Sequence, residues 1–97
     1  MQSSKYTYYA DEDFTFDVEV MGNVANLHCE VRNFKLSTLK NMYRELGSFL
    51  ASAKEAGLIK VFAAPKHPRF AELLGGRFSS TLSYNNQLYK VYTWVIQ

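Results

Sequence analysis

Phe14, Phe16, Val18 and Val20 alternate with Thr15, Asp17 and Glu19. A period of two puts every second side chain on one face of a strand, so this stretch predicts a half-buried strand. Gly22-Asn23 follows, a pair that tolerates positive φ, and then Ala25, Leu27, Cys29 and Val31 share a second alternating face. Residues 13–31 therefore predict a β-hairpin. Residues 6–9 read as a short strand ahead of it. From Ser37 the period changes: Leu39, Met42, Tyr43, Leu46, Phe49, Leu50 and Ala53 recur at three and four, the single stripe of an amphipathic helix. Ser37 is the expected N-cap and Gly57 the expected stop. Gly47 inside the helix is expected to let it approach the sheet closely.

Residues 58–64 (LIKVFAA) are almost continuously apolar, as in a strand covered on both faces. A strand ending at Val31, a crossover helix and this strand make a right-handed βαβ unit. Pro65 ends the strand. Pro68 suits the first turn of a second helix, with Phe70, Leu73 and Leu74 facing inward and Gly75-Gly76 as its exit. Residues 77–84 and 87–96 alternate around Asn85-Asn86, a type I′ hairpin signal. The fold class predicted is α+β, a single mixed sheet in the order ββ-α-β-α-ββ. One domain is expected over residues 1–97, with residues 1–12 as a short edge strand or a flexible lead-in.

That order and those lengths resemble the GNAT N-acetyltransferase fold without its first strand and first two helices. The piece PRFAELLGGRF has the form of that family's second remaining helix and its glycine exit. The resemblance covers about residues 13–96 and extends to small GNAT-like proteins of tailed bacteriophages, some virion-associated and some used in host takeover or anti-defence. It implies a coenzyme A pyrophosphate turn of the form Arg/Gln-x-x-Gly-x-Gly/Ala before the long helix, where glycines let backbone N–H groups approach the anion. Here the turn is Arg32-Asn33-Phe34-Lys35-Leu36-Ser37. The Arg matches, but Lys35 and Ser37 stand where small residues belong. Arg32, Lys35, Ser37 and Thr38 make either a different anion site or a solvated loop with a helix cap. The resemblance also implies a Tyr in the short helix that protonates the departing thiolate. Ala71 and Phe70 stand there and have no such proton. Glu72 reads as a solvated helix residue, and Tyr84, Tyr89 and Tyr92 as packing or surface groups. No catalytic residue and no cofactor are expected on this reading. Acetyl-CoA enters only under the alternative, a minimal acetyl-CoA-dependent N-acetyltransferase. The family's missing helices would cover part of the sheet, so their absence predicts open apolar surface for a homodimer or a host or virion protein.

Composition changes this picture in one respect. The 97 residues carry a net charge of only +2, with 47% hydrophobic and 15% aromatic residues, a globular balance. The charge is unevenly placed. Residues 1–30 hold Asp11, Glu12, Asp13, Asp17, Glu19 and Glu30 against Lys5, a net of −5. Residues 31–97 hold ten Lys or Arg against Glu45, Glu55 and Glu72, a net of +7. The halves either neutralise each other on folding or leave a field that steers a charged partner. The basic residues are scattered, which speaks against nucleic acid. Tyr6, Tyr8 and Tyr9 beside Asp11 and Asp13 form an aromatic-acidic lead-in, read either as a partner-binding surface or as an edge strand covering the core.

His28 shares a strand face with Asn26 and Glu30, which permits a carboxylate-oriented imidazole or an ordinary solvent-facing strand. Cys29, the only cysteine, falls on the apolar face and reads as a core residue. With no cysteine pair, no apolar run of membrane-spanning length and no signal-peptide core, the expected setting is the bacterial cytoplasm or a virion, with no membrane and no metal site. The function expected is a non-catalytic interaction protein on a degenerate acetyltransferase-like scaffold.

Overall fold

The two hairpin signals and the crossover pattern assemble into one sheet. The computed structural model describes residues 4–96. Its strands are β1 (Ser4–Ala10), β2 (Phe14–Met21), β3 (Val24–Val31), β4 (Lys60–Ala63), β5 (Arg77–Tyr84) and β6 (Gln87–Val95). Its helices are α1 (Leu36–Glu55), between β3 and β4, and α2 (Pro68–Leu73), between β4 and β5. The spatial order is β1-β2-β3-β4-β6-β5. Only β3 and β4 run parallel; the other neighbours are antiparallel. The fold is thus α+β with a single mixed six-stranded sheet and two helices.

Register decides which face is buried. Phe14, Phe16, Val18 and Val20 stand opposite Val31, Cys29, Leu27 and Ala25. Ala25 pairs with Val61, and Val61 and Ala63 pair with Trp94 and Tyr92. All of these point to one face, and both helices pack there. α1 contributes Thr38, Met42, Leu46, Phe49 and Ala53, and α2 with its C-cap contributes Ala71 and Leu74. The opposite face carries Asp17, Glu19, Asn26 and His28 on one half and Phe62, Val91 and Val95 on the other, and no helix covers it.

Several local expectations change. The N-cap of α1 is Lys35, not Ser37, and the Thr38 hydroxyl accepts the Lys35 N–H at 3.3 Å. Thr38 thereby joins the buried stripe, while Tyr43 turns outward and is 60% exposed. Gly47 faces open space, so no close approach requires it. β4 spans four residues and is covered on one face only, since Lys60 is exposed beside buried Val61. In α2 the inward positions are Ala71 and Leu74, and Leu73 is exposed.

Two turn positions follow from backbone chemistry. Asn85 and Asn86 sit at φ 51° and 62°, the paired left-handed conformation of a type I′ hairpin. Gly76 answers a packing demand: a Cβ there would lie 2.7 Å from the Trp94 ring and 3.0 Å from the Ala71 carbonyl oxygen. The Trp94 indole N–H donates to the Leu74 carbonyl at 3.1 Å, which holds the ring over that glycine.

Candidate functional site

β3 is eight residues long, but it pairs with β4 only at Val24, Ala25 and Asn26. Beyond Asn26 the two parallel strands part. Residues 27–31 have β2 on one side and no strand on the other, so their backbone N–H and C=O groups on that side are free to bond a ligand. The parting of the two strands leaves a wedge between them. At the C-terminal ends of its two strands the rings of Phe34 and Phe70 meet edge to face, 5.1 Å apart. His28 and Glu30 lie on the uncovered face of the same free stretch, both exposed, with Asp17 directly across from His28 on β2. A shallow depression of about 520 Å³ adjoins them, lined by Lys5, Thr7, Asp17, Glu19, Asn26 and His28 among others.

The turn between β3 and α1 is bolted to the turn between β1 and β2. Arg32 donates to the carbonyl oxygens of Asp11 and Glu12 and pairs with Glu30 at 3.3 Å. Its backbone N–H and that of Asn33 both donate to the Asp13 carbonyl, at 2.7 and 3.1 Å. The Lys35 ammonium stands 3.8 Å from the Asp13 carboxylate. Thr38, fully buried, donates its hydroxyl hydrogen to the Asn33 carbonyl at 2.9 Å. Of the four residues considered for anion binding, Arg32, Lys35 and Thr38 are therefore held in internal contacts, and Ser37 is exposed.

The acidic-aromatic residues meet the same clamp from the other side. Asp11 accepts the backbone N–H groups of Asp13 and Phe14, at 2.7 and 2.9 Å, and the Tyr9 hydroxyl at 2.8 Å. The Phe14 backbone bond and the Tyr9 hydroxyl hold the Asp11 carboxyl below the usual carboxylate range. The same bond to Asp11 raises the Tyr9 phenol. A register irregularity between Thr7 and Tyr9 brings Tyr8 and Tyr9 to the same face. Tyr8 meets Phe49 edge to face at 5.2 Å, and Tyr9 stacks on Phe14 at 5.0 Å. Only Tyr6 leaves an exposed ring, at 45%. Asp11 and Asp13 thus converge with Arg32 and Lys35, a juxtaposition that their separation in the chain conceals.

Two further groups carry possible chemistry. Tyr92 is buried and donates to the Glu72 carboxylate at 3.0 Å. Desolvation, with that carboxylate, raises its phenol. Glu72 is exposed, as the helix pattern predicts, and also takes this bond, which the pattern does not show. A Tyr on a core-facing strand position and a Glu at the outer edge of a short helix give no joint signal until the helix is docked. The Cys29 thiol is pushed up to about 12 by burial, which leaves it protonated and without nucleophilic character at neutral pH. Among the described residues no cluster of three His, Cys, Asp or Glu side chains could hold a metal ion, and no helix is long and apolar enough to cross a membrane.

No protein-family model matches the chain, and no curated protein matches its sequence. Solved structures do match its fold. Aminoglycoside 6′-acetyltransferase type Ii superposes with a TM-score of 0.70 at 17% identity, over 96% of this chain and 70% of that one. A putative acetyltransferase of the GNAT family from Desulfovibrio desulfuricans gives 0.62 at 12% identity, over 88% and 70%. The aminoglycoside acetyltransferase AAC(6′)-Ib, in complex with coenzyme A and kanamycin, gives 0.59 at 11% identity, over 87% and 67%. The fold is therefore GNAT-like, and the chain spans about 70% of the length of those acetyltransferase structures.

The expectation that no cofactor is involved is corrected by these structures, several of which hold acetyl-CoA or coenzyme A. In those proteins a fold of this kind holds a CoA-type group. Measured against such a group, the residues of this chain divide. The free edge of β3 fits an extended chain of amides, which bonds strand backbone. The β3–α1 turn does not fit a pyrophosphate: it has no glycine, and its two cations are engaged by Glu30, Asp13 and the β1–β2 carbonyls.

Proposed function

We propose that this chain is a binding protein on an acetyltransferase-like scaffold, which takes a CoA-type ligand along β3 and engages a host or virion protein without transferring an acyl group. The free edge of β3 supports the ligand in this reading, and the clamp between the two turns supports the departure from the family's transfer chemistry. Arg32 and Lys35, the cations nearest the expected pyrophosphate position, are held by Glu30, Asp13 and the β1–β2 backbone. The helix position that carries the proton donor in the family is the buried methyl of Ala71. The exposed Tyr6 ring on β1 supports a protein contact at that edge. The small GNAT-like proteins of tailed bacteriophages supply the biological setting, the cytoplasm of a bacterial host or the virion itself.

A second reading has its own observation. His28 and Glu30 are exposed on the free stretch of β3, where a base would stand in a minimal N-acetyltransferase. Titration calorimetry with acetyl-CoA, paired with an assay of thiol release in the presence of amines, separates the two. The binding reading expects acetyl-CoA to bind and thiol release to stay at the buffer rate. Release that His28→Ala abolishes overturns it in favour of the enzyme. Absence of any heat with acetyl-CoA or coenzyme A removes the CoA-type ligand from the proposal.

A further inference from the structure

The sheet has two edges, and β5 is the unprotected one. All eight of its residues are exposed. Edge strands are normally blunted by charges, prolines or bulges within the strand, because their outward N–H and C=O groups otherwise template another strand. β1 carries a charged Lys5, paired with Glu19 of β2, and an irregularity at mid-strand. β5 has no proline, a single charge in Arg77 at its first residue, and its irregularity at the start, between Phe78 and Ser80. That leaves residues 80–84 (STLSY) as a regular, uncharged edge segment. Leu82 and Tyr84 stand out from it, 50% and 63% exposed.

We propose that β5 pairs antiparallel with β5 of a second copy of this chain about a two-fold axis at Leu82. The pleat restricts the register. Pairing with β6 places Ser80, Leu82 and Tyr84 on the uncovered face and Thr81 and Ser83 on the helix face. Residues directly opposite in an antiparallel pair must share a face, and a two-fold axis perpendicular to the sheet preserves faces between copies. Both conditions hold for an axis through a residue and not for one between residues, and Leu82 is the middle residue of the regular segment 80–84. Leu82 then meets the partner's Leu82, with Cβ atoms about 5 Å apart. Ser80 meets the partner's Tyr84, and Thr81 the partner's Ser83. No charge faces a charge anywhere in the segment, Arg77 lies beyond the pairing, and the net charge of +2 imposes little repulsion between copies. The edge chemistry selects a second copy because the segment is its own complement: small hydroxyl residues receive the tyrosines, and the leucine receives itself.

Sedimentation velocity of the whole chain across the micromolar range tests this at low salt. The parent is expected to run as a dimer. Leu82→Lys places two ammonium groups across the axis and should weaken association about ten-fold or more, roughly the effect of 1.4 kcal/mol. Leu88→Lys, at a more exposed apolar residue on β6 outside the pairing, should leave the dimer intact. Leu82→Glu should also be monomeric, and an equimolar mixture of Leu82→Lys with Leu82→Glu should recover a heterodimer. A parent that is monomeric throughout, a Leu82→Lys dimer as tight as the parent, or a mixture that stays monomeric would each overturn the proposal.

Discussion

β1 and β5 are the two edges of one sheet, and they are built from opposite materials. β1 has two tyrosines half-buried against Phe14 and Phe49, and the turn that follows it is clamped to the β3–α1 turn. β5 has eight exposed residues, and its Phe78 ring meets the buried Tyr92 edge to face. The helices treat the two edges differently. α1 sets Phe49 against the Tyr8 ring of β1. α2 has six residues; its Glu72 accepts the Tyr92 hydroxyl and the carbonyl of its C-cap Leu74 accepts the Trp94 indole N–H, both bonds going to β6. An edge strand is secured by what lies over it, and β5 has almost nothing over it.

The comparison is broken most strongly at Phe49. It is 2% exposed and holds the Tyr8 ring, so Phe49→Ala should cost about 3–5 kcal/mol in urea unfolding. A loss below about 1 kcal/mol would mean that α1 does not seal the β1 side as described. Next is Gly76→Ala, which must displace the Trp94 ring and should cost about 1–3 kcal/mol, visible also as a change in tryptophan fluorescence. Arg32→Ala removes the guanidinium bonds of the turn clamp and should cost about 1 kcal/mol, with faster amide exchange at Asp13 and Phe14. Leu88→Ser on the β5–β6 hairpin should change stability by less than about 0.5 kcal/mol, because the side chain is 77% exposed.

A pH series sharpens the same contrast. Asp11 is held below the ordinary carboxylate value of 3.8 by its backbone and Tyr9 bonds. A folded-state depression of this sign stabilises above the unfolded value and is lost as pH falls through the folded one. Urea midpoints should therefore drop between pH 5 and the acid limit in the parent and drop less in Asp11→Asn, while Leu88→Ser follows the parent curve.

Much of the architecture was legible along the chain because it is written in local periods. Alternation at 14–20 and 25–31, the helical stripe from Leu39 to Ala53 and the Asn85-Asn86 turn each depend on neighbours within a few residues. The layout that these elements share with GNAT proteins was legible for the same reason. The end of the helical cap was not: Ser37 is a good N-cap residue in isolation, but Thr38 is pulled into the core by the Asn33 carbonyl and shifts the start to Leu36. Tyr92 and Glu72 were equally opaque, since twenty residues and a helix docking event separate a phenol from the carboxylate that takes its hydrogen bond.

The roles of the charged residues lay furthest from view. Arg32 and Lys35 had the right types for an anion site, and Asp11 and Asp13 for a partner surface. Folding puts the two sets within bonding distance, where they hold each other, because the antiparallel β2–β3 register returns residue 32 to residues 11–13. Composition and spacing set the fold class, the helix and the hairpins, each a property of short-range backbone geometry and side-chain period. The wedge beside β3, the clamp beneath it and the bare edge of β5 arise from strand pairing across long separations, which a linear pattern does not carry.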